Sequence, residues 1–578
     1  MAANQHEVVI LGAGLASLSL ARHLLIHTKK RVLLLEKRVE VPSARQKVGE
    51  ATVQVSSYYF SKILDLEEHF FQEHLLKYNL RFYWPTPGRG NSAYEDYSQS
   101  YIRDLSNIAT FQVDRNALER ELLRLNLESD RFEFRPGIAN LEVMVGESGK
   151  LHAINYEMKG ERFDCQAVWL VDATGRARFL ARKLGLTKPS PIRHGATFFW
   201  VNGLIDIEKL TGLSRMQSLI HPDRQKLGHL PAWLATNHFM GEGYWFWTIP
   251  LKGKTSLGLV YDHAKIHVDE VSSPEKVIAW IAKRFPMFAA DLSARQIIDH
   301  GLYRDFSYDC TQSISADRWA LAGESGRFSD PLYSPGGDLI ALYNTLIVDA
   351  ILTEEQSSLA VKARLYELLM WAFYEAYIPS YSESYDVLGD QECFAMKYGW
   401  ELTVYFIFYV FPFINRVFTS AAFVVPFLDL FAKLGSINNS LQPFISGYYR
   451  WKKERPSPQK EPVFFDFTAF EPLRKAQELF YQVGLTPREC ARTIERQMAN
   501  VEKMARFIAA YIYSVVLEDD DILVAKNLAE TIDIEKLEFN PEKMRQMGQA
   551  ATISKESKLT KAGTDFITAF RRSKEQTS

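Results

Sequence analysis

The first 36 residues alternate between apolar runs and polar turns in a pattern that predicts a strand, a helix and a second strand. Val8 to Leu11 is an apolar run typical of a buried strand, and it ends at Gly12-Ala13-Gly14. A second apolar run, from Arg31 to Glu36, ends in a carboxylate. Between the two runs, apolar side chains recur at helical spacing on one face: Leu15, Leu18, Ala21, Leu24 and Leu25. This order of elements is that of a dinucleotide-binding βαβ unit.

Each residue of this unit has a physical role in holding a dinucleotide. Gly12 permits the sharp turn, and Gly14 lets the backbone approach a pyrophosphate at the helix N-terminus, where free N–H groups attract anions. Ser17 replaces the third glycine and is small enough for close packing of helix on strand. Glu36 is placed to accept hydrogen bonds from ribose hydroxyls. This motif alone does not separate FAD from NAD.

Two later segments repeat the design of an apolar strand, a glycine and a polar group. The run that ends at Val171 continues into Asp172-Ala-Thr-Gly175, and the run from Trp319 continues into Gly323-Glu324. Together with the first turn, these segments would meet at the carboxyl ends of one parallel sheet, where open α/β folds bind ligands. Because an extended FAD needs contacts over that whole length, the pattern favours FAD over NAD.

The remaining periodicity predicts an α/β fold in several parts. We expect an FAD-binding core over 1–350, in which 190–300 form much of an inserted antiparallel β-sheet substrate domain. Residues 351–470 are rich in aromatic side chains and are expected to be helical, and 471–578 are expected to form a charged helical region.

The segment 403–428 is apolar enough to raise the question of a membrane, since Arg416 is its one charged residue. Pro412 and Pro426 divide it into pieces of about a dozen residues, which favours buried or interfacial segments over a span. Three alternatives follow: helices that cover a substrate cavity, a peripheral membrane contact through 403–434, or a membrane span.

Composition narrows the class of protein further. The chain has 578 residues, 47% of them hydrophobic, and a formal net charge of -2, so nothing suggests nucleic-acid binding. Its four cysteines are scattered without a C-x-x-C pair, and its histidines form no H-x-x-x-H pair, so we predict no metal site. The N-terminus lacks the charged and apolar regions of a signal peptide. We therefore expect a cytoplasmic protein, with membrane association as the alternative.

Two motifs identify a family resemblance. Trp245-Phe-Trp-Thr-Ile-Pro250 fits W-x-W-x-I-P, and Phe328 to Gly336 fits F-x-x-P-x-x-S-x-G. With Gly49-Glu50-Ala51-Thr52 and the N-terminal glycine motif, the sequence resembles the flavin-dependent halogenases, the tryptophan-halogenase-like branch of the p-hydroxybenzoate-hydroxylase-like fold. The resemblance covers roughly residues 5–350, and W-x-W-x-I-P is its specific signal. Tyr333 stands where tryptophan halogenases have a glutamate, so the resemblance is closer to phenol- and pyrrole-type enzymes.

The resemblance implies a reaction that uses reduced FAD, supplied by a separate flavin reductase, together with oxygen and halide. The halide is held near the flavin by the turn Ser334-Pro335-Gly336-Gly337, which follows Pro331, and becomes hypohalous acid. Trp245 and Trp247 form a wall that keeps the substrate away from the flavin. The oxidant then passes to a lysine, which positions or carries it beside the substrate ring. Glycine N–H groups at the turn are suited to an anion nest, independently of the resemblance.

The position of the reactive lysine is open between two residues. Aligned on tryptophan halogenases the position falls on Arg81, and aligned on phenol-type halogenases it falls on Lys77. A desolvated lysine can lose its proton, whereas arginine stays protonated and forms a chloramine poorly. We therefore favour Lys77.

Further residues are candidates for cofactor contacts because of the resemblance. Arg115 lies where the family often has an arginine near the flavin, although an ion pair with Asp114 or Glu119 is equally compatible with its position. Lys47 precedes the Gly49–Thr52 element and is a candidate for flavin phosphate or ring. Asp172 and Gly175 are a second dinucleotide contact, with Asp172 supporting the turn. Glu324 stands where many relatives have an aspartate beside the ribityl chain.

The leading interpretation is an FAD-dependent halogenase of secondary metabolism that acts on an electron-rich aromatic, phenolic or pyrrole-like, apolar or carrier-bound. The alternative is an FAD-dependent monooxygenase, dehydrogenase or reductase that acts on a lipid-like substrate without halide. A third interpretation is a non-catalytic flavin-binding or membrane-associated protein. The sequence does not define the substrate, the halide, the regiochemistry, the reductase or the oligomeric state.

Overall fold

A computed structural model of the chain describes residues 4–455, 461–519, 531–550 and 561–570. Its strands, in chain order, are β1 Gln5–Leu11, β2 Val32–Glu36, β3 Leu75–Lys77, β4 Leu80–Pro85, β5 Tyr97–Ser100, β6 Thr110–Gln112, β7 Phe132–Pro136, β8 Ile138–Met144, β9 His152–Met158, β10 Glu161–Asp172, β11 Thr187–Lys188, β12 His194–Asn202, β13 Thr236–Gly241, β14 Tyr244–Leu251, β15 Lys254–Asp262, β16 Ile297–Tyr303, β17 Asp309–Cys310, β18 Ile314–Ser315, β19 Trp319–Leu321 and β20 Phe464–Phe465.

The α-helices, in chain order, are α1 Leu15–His27, α2 Gln54–Tyr58, α3 Glu67–Glu73, α4 Arg115–Leu127, α5 Phe179–Lys183, α6 Arg215–Ile220, α7 Pro222–Gln225, α8 Pro274–Arg284, α9 Ala289–Ser293, α10 Gly336–Ile351, α11 Gln356–Glu375, α12 Ile378–Ser382, α13 Gln391–Tyr405, α14 Phe411–Ile414, α15 Ala421–Lys453, α16 Glu471–Glu478, α17 Pro487–Leu517, α18 Pro541–Ala550 and α19 Lys561–Phe570. Two short π-helical segments, Tyr59–Ile63 and Phe406–Val410, continue α2 and α13.

The chain divides into two compact units, each built from three separate segments. The first unit comprises 1–77, 108–193 and 305–375, and the second comprises 78–107, 194–304 and 376–578.

The first unit is built on the parallel sheet that the sequence predicts. Its strand order is β18-β19-β10-β1-β2-β7, with β8 and β9 extending antiparallel from β10. In the parallel register Leu11 lies beside Asp172, and Asp172 lies beside Leu321. The three strands therefore end level with one another, and the polar turns that follow them share one edge of the sheet. This confirms the expectation that the three segments meet at the carboxyl ends of the sheet.

The second unit contains an eight-stranded, mostly antiparallel sheet in the order β16-β12-β15-β14-β13-β4-β5-β20. The pairs β13–β4 and β20–β5 are parallel. Its aromatic core includes stacked Tyr83 and Phe239, and α8 packs against this core through Val277, Trp280 and Ile281. The sheet therefore recruits strands from 78–107 and 464–465 in addition to the predicted 190–300 region.

The boundary expected at residue 350 differs from the structure. Helix α11 lies in the first unit, because Glu367 receives hydrogen bonds from the buried Arg327 and from the backbone of Ser313. Tyr343 of α10 also donates to the carbonyl oxygen of Met370 on α11. These contacts hold α11, at the start of the aromatic-rich segment, within the first unit. The chain returns to the second unit at residue 376.

Helices α13, α15 and α17 pack together within the second unit. Within the described ranges, one helix, α15, is long and apolar enough to cross a membrane by length and composition. It contains Pro426 and Pro443, and its buried Asn438 and Gln442 are hydrogen-bonded to Trp400 and Glu401 of α13. Residues 406–414 are also buried. These features favour internal packing over a span, while a peripheral contact through 403–434 stays a prediction.

Candidate functional site

The glycine turn after β1 has the geometry of a nucleotide site. Gly12 has φ +95°, and a Cβ placed there would lie 2.7 Å from the carbonyl oxygen of Ala173, so both conformation and space require glycine. Gly14 is the N-cap of α1, and a Cβ placed there would meet no atom within 4 Å. Open space in front of a helix N-terminus fits a pyrophosphate.

The acid at the end of β2 is held in place by hydrogen bonds, and its contact with a ribose stays a prediction. Glu36 is buried, and its Oε2 accepts a hydrogen bond of 2.7 Å from the backbone N–H of Ala13. Its Oε1 accepts bonds of 2.8 and 3.0 Å from the backbone and side chain of Arg38. Burial raises the pKa of Glu36, but these hydrogen bonds outweigh it, so the pKa lies below its ordinary value. Ser17 is buried and donates to the carbonyl oxygen of Gly14 at 2.8 Å, which supports the turn.

Asp172 shapes the second turn. Its Oδ1 accepts from the backbone and hydroxyl of Thr174, at 2.8 and 2.7 Å, and its Oδ2 accepts from the backbone of Leu180. Burial raises the pKa of Asp172, and these hydrogen bonds oppose the rise. Gly175, with φ +59°, donates its N–H to Ser325 Oγ at 2.8 Å and so ties the second turn to the third. The hydrogen bonds of Asp172 support the second turn, and a contact of this turn with the dinucleotide stays a prediction.

Glu324 lies in the turn that follows β19 in the first unit. Its side chain is accessible to solvent, yet protein atoms surround it on most sides. This desolvation raises the pKa of Glu324, while the nearby charges of Arg115 and Arg176 act in the opposite direction. A carboxylate in such a position is suited to contact a polar chain of a bound ligand.

Arg115 and Lys47 converge on Glu119, a carboxylate with no exposed surface. Arg115 donates to Glu119 at 2.7 Å, and Lys47 forms an ion pair with the same residue. The other terminal nitrogen of the Arg115 guanidinium donates to the carbonyl oxygen of Val48. A Cβ on Gly49 would lie 2.7 Å from this same nitrogen. Arg115 therefore forms the ion pair with Glu119 that was the alternative to a flavin contact. Flavin contacts from Arg115 and Lys47 stay predictions.

The turn before α10 is strained. Tyr333 and Ser334 have φ values of +70° and +63°, and two successive non-glycine residues in this region cost about 1–3 kcal/mol each. Ser334 donates its N–H to the carbonyl oxygen of Pro331 at 2.9 Å, and Pro335 is the N-cap of α10. The first N–H groups of a helix have no intrahelical acceptor, so Gly336 and Gly337 present donors suited to an anion.

Lys77 ends β3 and is buried, with 5% of its surface exposed. Within the part of the chain that the structure describes, its Nζ has no hydrogen-bond partner. Burial lowers the pKa of Lys77 from 10.5 to about 7, and the charge of Asp338 acts in the opposite direction. At this pKa a substantial fraction of the amine is uncharged near neutral pH, and the uncharged, unpaired amine is the form that nucleophilic chemistry requires.

Arg81 has a different environment in the second unit. Its guanidinium donates to Asn79 at 3.1 Å and to the carbonyl oxygen of Leu230 at 3.0 Å, and it lies 4.2 Å from the ring centroid of Tyr101. These contacts satisfy the side chain by packing. The choice between Lys77 and Arg81 as the reactive position stays a prediction.

The two motif tryptophans are neighbours in the second unit. Trp245 and Trp247 lie on one face of β14 with ring centroids 5.5 Å apart, as residues two apart on a strand must. Trp245 donates to the hydroxyl of Tyr385 at 2.7 Å, and Trp247 donates to Ser256 at 3.3 Å. Their orientation is therefore fixed by hydrogen bonds, and their role as a wall beside the flavin stays a prediction.

Sequence reasoning named Glu119 as an alternative ion-pair partner of Arg115, four residues before it on a helix, and did not expect Lys47 as its second partner. It missed two other polar residues that organise the first unit. Asp338, which accepts from Ser56, and Arg327, which binds Asp309 and Glu367, gave no signal in the sequence, because their partners are distant in the chain. Across the described ranges, no group of three or more His, Cys, Asp or Glu side chains is arranged to hold a metal ion.

Comparison with known proteins supports the family resemblance. No family model matches the chain. It is 25% identical over 371 residues to the flavin-dependent halogenase chlA of Dictyostelium discoideum, covering 59% of this chain and 58% of that protein. It is 26% identical over 254 residues to the 1H-pyrrole-2-carbonyl-(peptidyl-carrier protein) brominase of Pseudoalteromonas luteoviolacea (strain 2ta16), covering 42% of this chain and 55% of that protein.

A solved structure shows the same fold over most of the chain. The crystal structure of halogenase PltM matches with a TM-score of 0.59 at 16% identity, covering 87% of this chain and 97% of that chain. The chain spans little more than half the length of the curated relatives it matches. The comparisons confirm the resemblance to the flavin-dependent halogenase family, and the α/β fold class with it.

Proposed function

We propose that the chain is an FAD-dependent halogenase that acts on an electron-rich aromatic substrate. The observation that carries the proposal is Lys77, a buried amine without a partner in the described structure and with a pKa of about 7. It lies in the same unit as the nucleotide turn at Gly12 and the strained turn at Ser334. A packing lysine would be paired or exposed, whereas this one is held ready to react.

FAD fits the residues of the first unit. The open space at Gly14 would accommodate the pyrophosphate, Glu36 would accept hydrogen bonds from the ribose, and Glu324 would contact the polar chain between phosphate and ring. Reduced FAD, supplied by a separate flavin reductase, provides the two electrons with which oxygen is activated. The amides at Gly336 and Gly337 hold the halide as an anion.

The activated oxygen would oxidise the halide by two electrons to hypohalous acid, and the second oxygen atom would leave as water. The hypohalous acid would then reach Lys77. The uncharged amine of Lys77 either hydrogen-bonds hypohalous acid or displaces water from it, so that the nitrogen gains a halogen and loses a proton while hydroxide leaves with that proton as water. In both cases the halogen is held as an electrophile of limited reactivity. An electron-rich ring, phenolic or pyrrole-like and apolar or carrier-bound, is the substrate class that such a reagent attacks.

The reaction is tested by product mass spectrometry with FAD, a flavin reductase, NADH, oxygen and a panel of activated phenols and pyrroles, with chloride, bromide or no halide. We expect a halogen isotope pattern that needs the protein and falls by at least about 100-fold in Lys77→Ala and Lys77→Arg. Lys62→Ala serves as the matched control, because Lys62 is an exposed lysine paired with Glu67. Its halogenation should remain unchanged.

Other results would assign the chemistry differently. Halogenation that survives in Lys77→Ala and is lost in a folded Arg81→Ala would transfer the role to Arg81. Oxygenated or dehydrogenated product without halogen would identify a flavin monooxygenase or dehydrogenase instead.

A further inference from the structure

Asp338 joins the strained turn to the segment that follows Gly49–Thr52. It lies in the first turn of α10, directly after Gly337, and only 4% of its surface is exposed. Its Oδ1 accepts a hydrogen bond of 2.8 Å from the backbone N–H of Ser56 in the first turn of α2. A Cβ on Gly337 would lie 2.8 Å from Ser56 Cβ, so the two helix starts pack as closely as glycine allows. The carboxylate thus fixes the start of α10 against α2.

The same segment is bonded to the strand pair that carries Lys77. The backbone N–H of Thr52 donates to the carbonyl oxygen of Phe111 at 2.9 Å, and its hydroxyl accepts from the N–H of Phe111 at 2.8 Å. Thr110, the residue paired with Lys77 between β6 and β3, donates its hydroxyl to the Lys77 carbonyl oxygen at 2.9 Å. A continuous framework therefore links Asp338 to the lysine backbone.

Asp338 also acts on the lysine by its charge. Burial lowers the pKa of Lys77, and among the described residues the charge of Asp338 opposes that fall. The Lys77 amine nevertheless has no hydrogen-bond partner there, so the carboxylate stabilises the ammonium form through space without occupying the nitrogen.

We propose that Asp338 is a positioning residue for Lys77: it fixes the Ser334–Gly337 turn to the framework that carries the lysine strand, and it places a negative charge near the amine. The effect of Asp338 on halogenation rests on the proposed function, whereas its effect on the protonation of Lys77 does not. With the charge present, the ammonium and the free amine are both populated near neutral pH. Loss of the charge would leave the amine almost wholly uncharged there.

The test measures the protonation of Lys77 in the protein without substrates. The protein is labelled with ¹³C at lysine Cε, the Lys77 signal is assigned by its absence in Lys77→Arg, and its shift is followed against pH. In Asp338→Asn, whose amide oxygen can still accept from Ser56, we expect the midpoint to fall by about one pH unit. Asp349→Asn is the matched control on the same helix, where Asp349 pairs with Lys362 and Tyr366.

Asp338→Ala separates the two roles, because it removes the acceptor as well as the charge. We expect it to lower the midpoint as Asp338→Asn does and, in addition, to lower the melting temperature. If Asp338→Asn does not fold, Asp338→Ser replaces it, since serine supplies a small neutral acceptor. We expect the same fall in the midpoint of the Lys77 signal.

An unchanged Lys77 midpoint in the neutral variants would overturn the proposal, as would an equal fall in Asp349→Asn. Because no halogenation is needed for this measurement, the outcome is independent of whether the chain proves to be a halogenase. If it does, the pH profile of halogenation should move to lower pH in Asp338→Asn by the same interval as the amine.

Discussion

At the scale of single residues, the central feature is a lysine that folding places in an environment unfavourable to its charge. Lys77 has a pKa of about 7 in the folded chain and an ordinary value of 10.5 when unfolded. Between these values the unfolded state binds more protons, so the free energy of unfolding rises with pH across this window. Below about pH 7 both states are protonated, and the full cost of burying the charge is present.

This cost predicts the behaviour of Lys77→Met, which removes the charge and keeps most of the side-chain volume. At pH 7 the variant should be more stable than the parent protein by about 2–4 kcal/mol, and the difference should shrink as the pH approaches 10. Denaturant unfolding between pH 6 and pH 10 measures it. A difference that stays constant over this range would mean that Lys77 titrates normally in the folded protein.

The choice between Lys77 and Arg81 shows what a sequence leaves open at this scale. Both residues lie in the stretch Lys77-Tyr-Asn-Leu-Arg81, and each matches one branch of the family. What separates them is their surroundings, an unpaired amine against a guanidinium bonded to Asn79 and Leu230. Those partners become neighbours only in the folded chain. The sequence could therefore favour Lys77 only because a lysine loses its proton more readily than an arginine does.

At the scale of elements, the turn after β1 was predictable because its chemistry is local. A strand, two glycines, a helix and an acid lie within 36 residues, and the structure places them as expected. The level ends of β1, β10 and β19 were also predictable, because the same design of strand and glycine recurs three times. The recruitment of β4, β5 and β20 into the second sheet was not, because pairing between distant strands leaves no local signal.

The two glycines of the first turn should respond differently to the same added methyl group. Gly12→Ala should destabilise the protein by several kcal/mol, since its Cβ would collide with the Ala173 carbonyl oxygen at 2.7 Å in a positive-φ conformation. Gly14→Ala should leave the stability of the FAD-free protein within about 1 kcal/mol, because no atom lies within 4 Å.

FAD binding completes this comparison. The methyl group of Gly14→Ala would fill the space assigned to the pyrophosphate, so we expect the affinity for FAD to fall by at least about tenfold. Flavin fluorescence quenching measures the affinity, and thermal unfolding without FAD measures stability. A Gly14→Ala protein that binds FAD like the parent would place the pyrophosphate elsewhere.

At the scale of the whole molecule, the helices after residue 376 belong to the second unit's core. The prolines that divide 403–428 favoured buried or interfacial segments over a span, and 406–414 are buried, yet the sequence could not show that α11 packs in the first unit. Composition reports that a segment is buried and leaves its partner undefined. The partner is set here by buried polar contacts such as Arg327–Glu367 in the first unit.

In the second unit the corresponding contacts converge on Lys397, which has no exposed surface. It donates to the carbonyl oxygen of Ser380, to the Ser384 hydroxyl and to Glu401 Oε1, at 2.8, 3.0 and 2.5 Å. Gln442 of α15 donates to the same Glu401 oxygen at 3.1 Å. One buried ion pair thus connects α12, α13 and α15.

Removing only the cation from this network should be more damaging than removing both charges. Lys397→Met leaves Glu401 buried without its counter-ion, so we expect a loss of about 3–5 kcal/mol in the free energy of unfolding. The double variant Lys397→Met/Glu401→Met should recover most of that loss, because two apolar side chains of similar length replace the desolvated pair. Lys433→Met is the surface control, since the exposed Lys433–Glu502 pair contributes about 1 kcal/mol or less.

Urea unfolding of the parent protein and the three variants measures the contribution of the network. The result for the double variant decides between two explanations. Recovery would show that the ion pair sets how the helices are arranged at little net gain in stability, so hydrophobic packing provides most of the stability of this region. A double variant as unstable as Lys397→Met would assign the stability to the polar bonds from Ser380, Ser384 and Gln442 instead. In that case the helical region would depend on a polar centre that aromatic composition does not reveal.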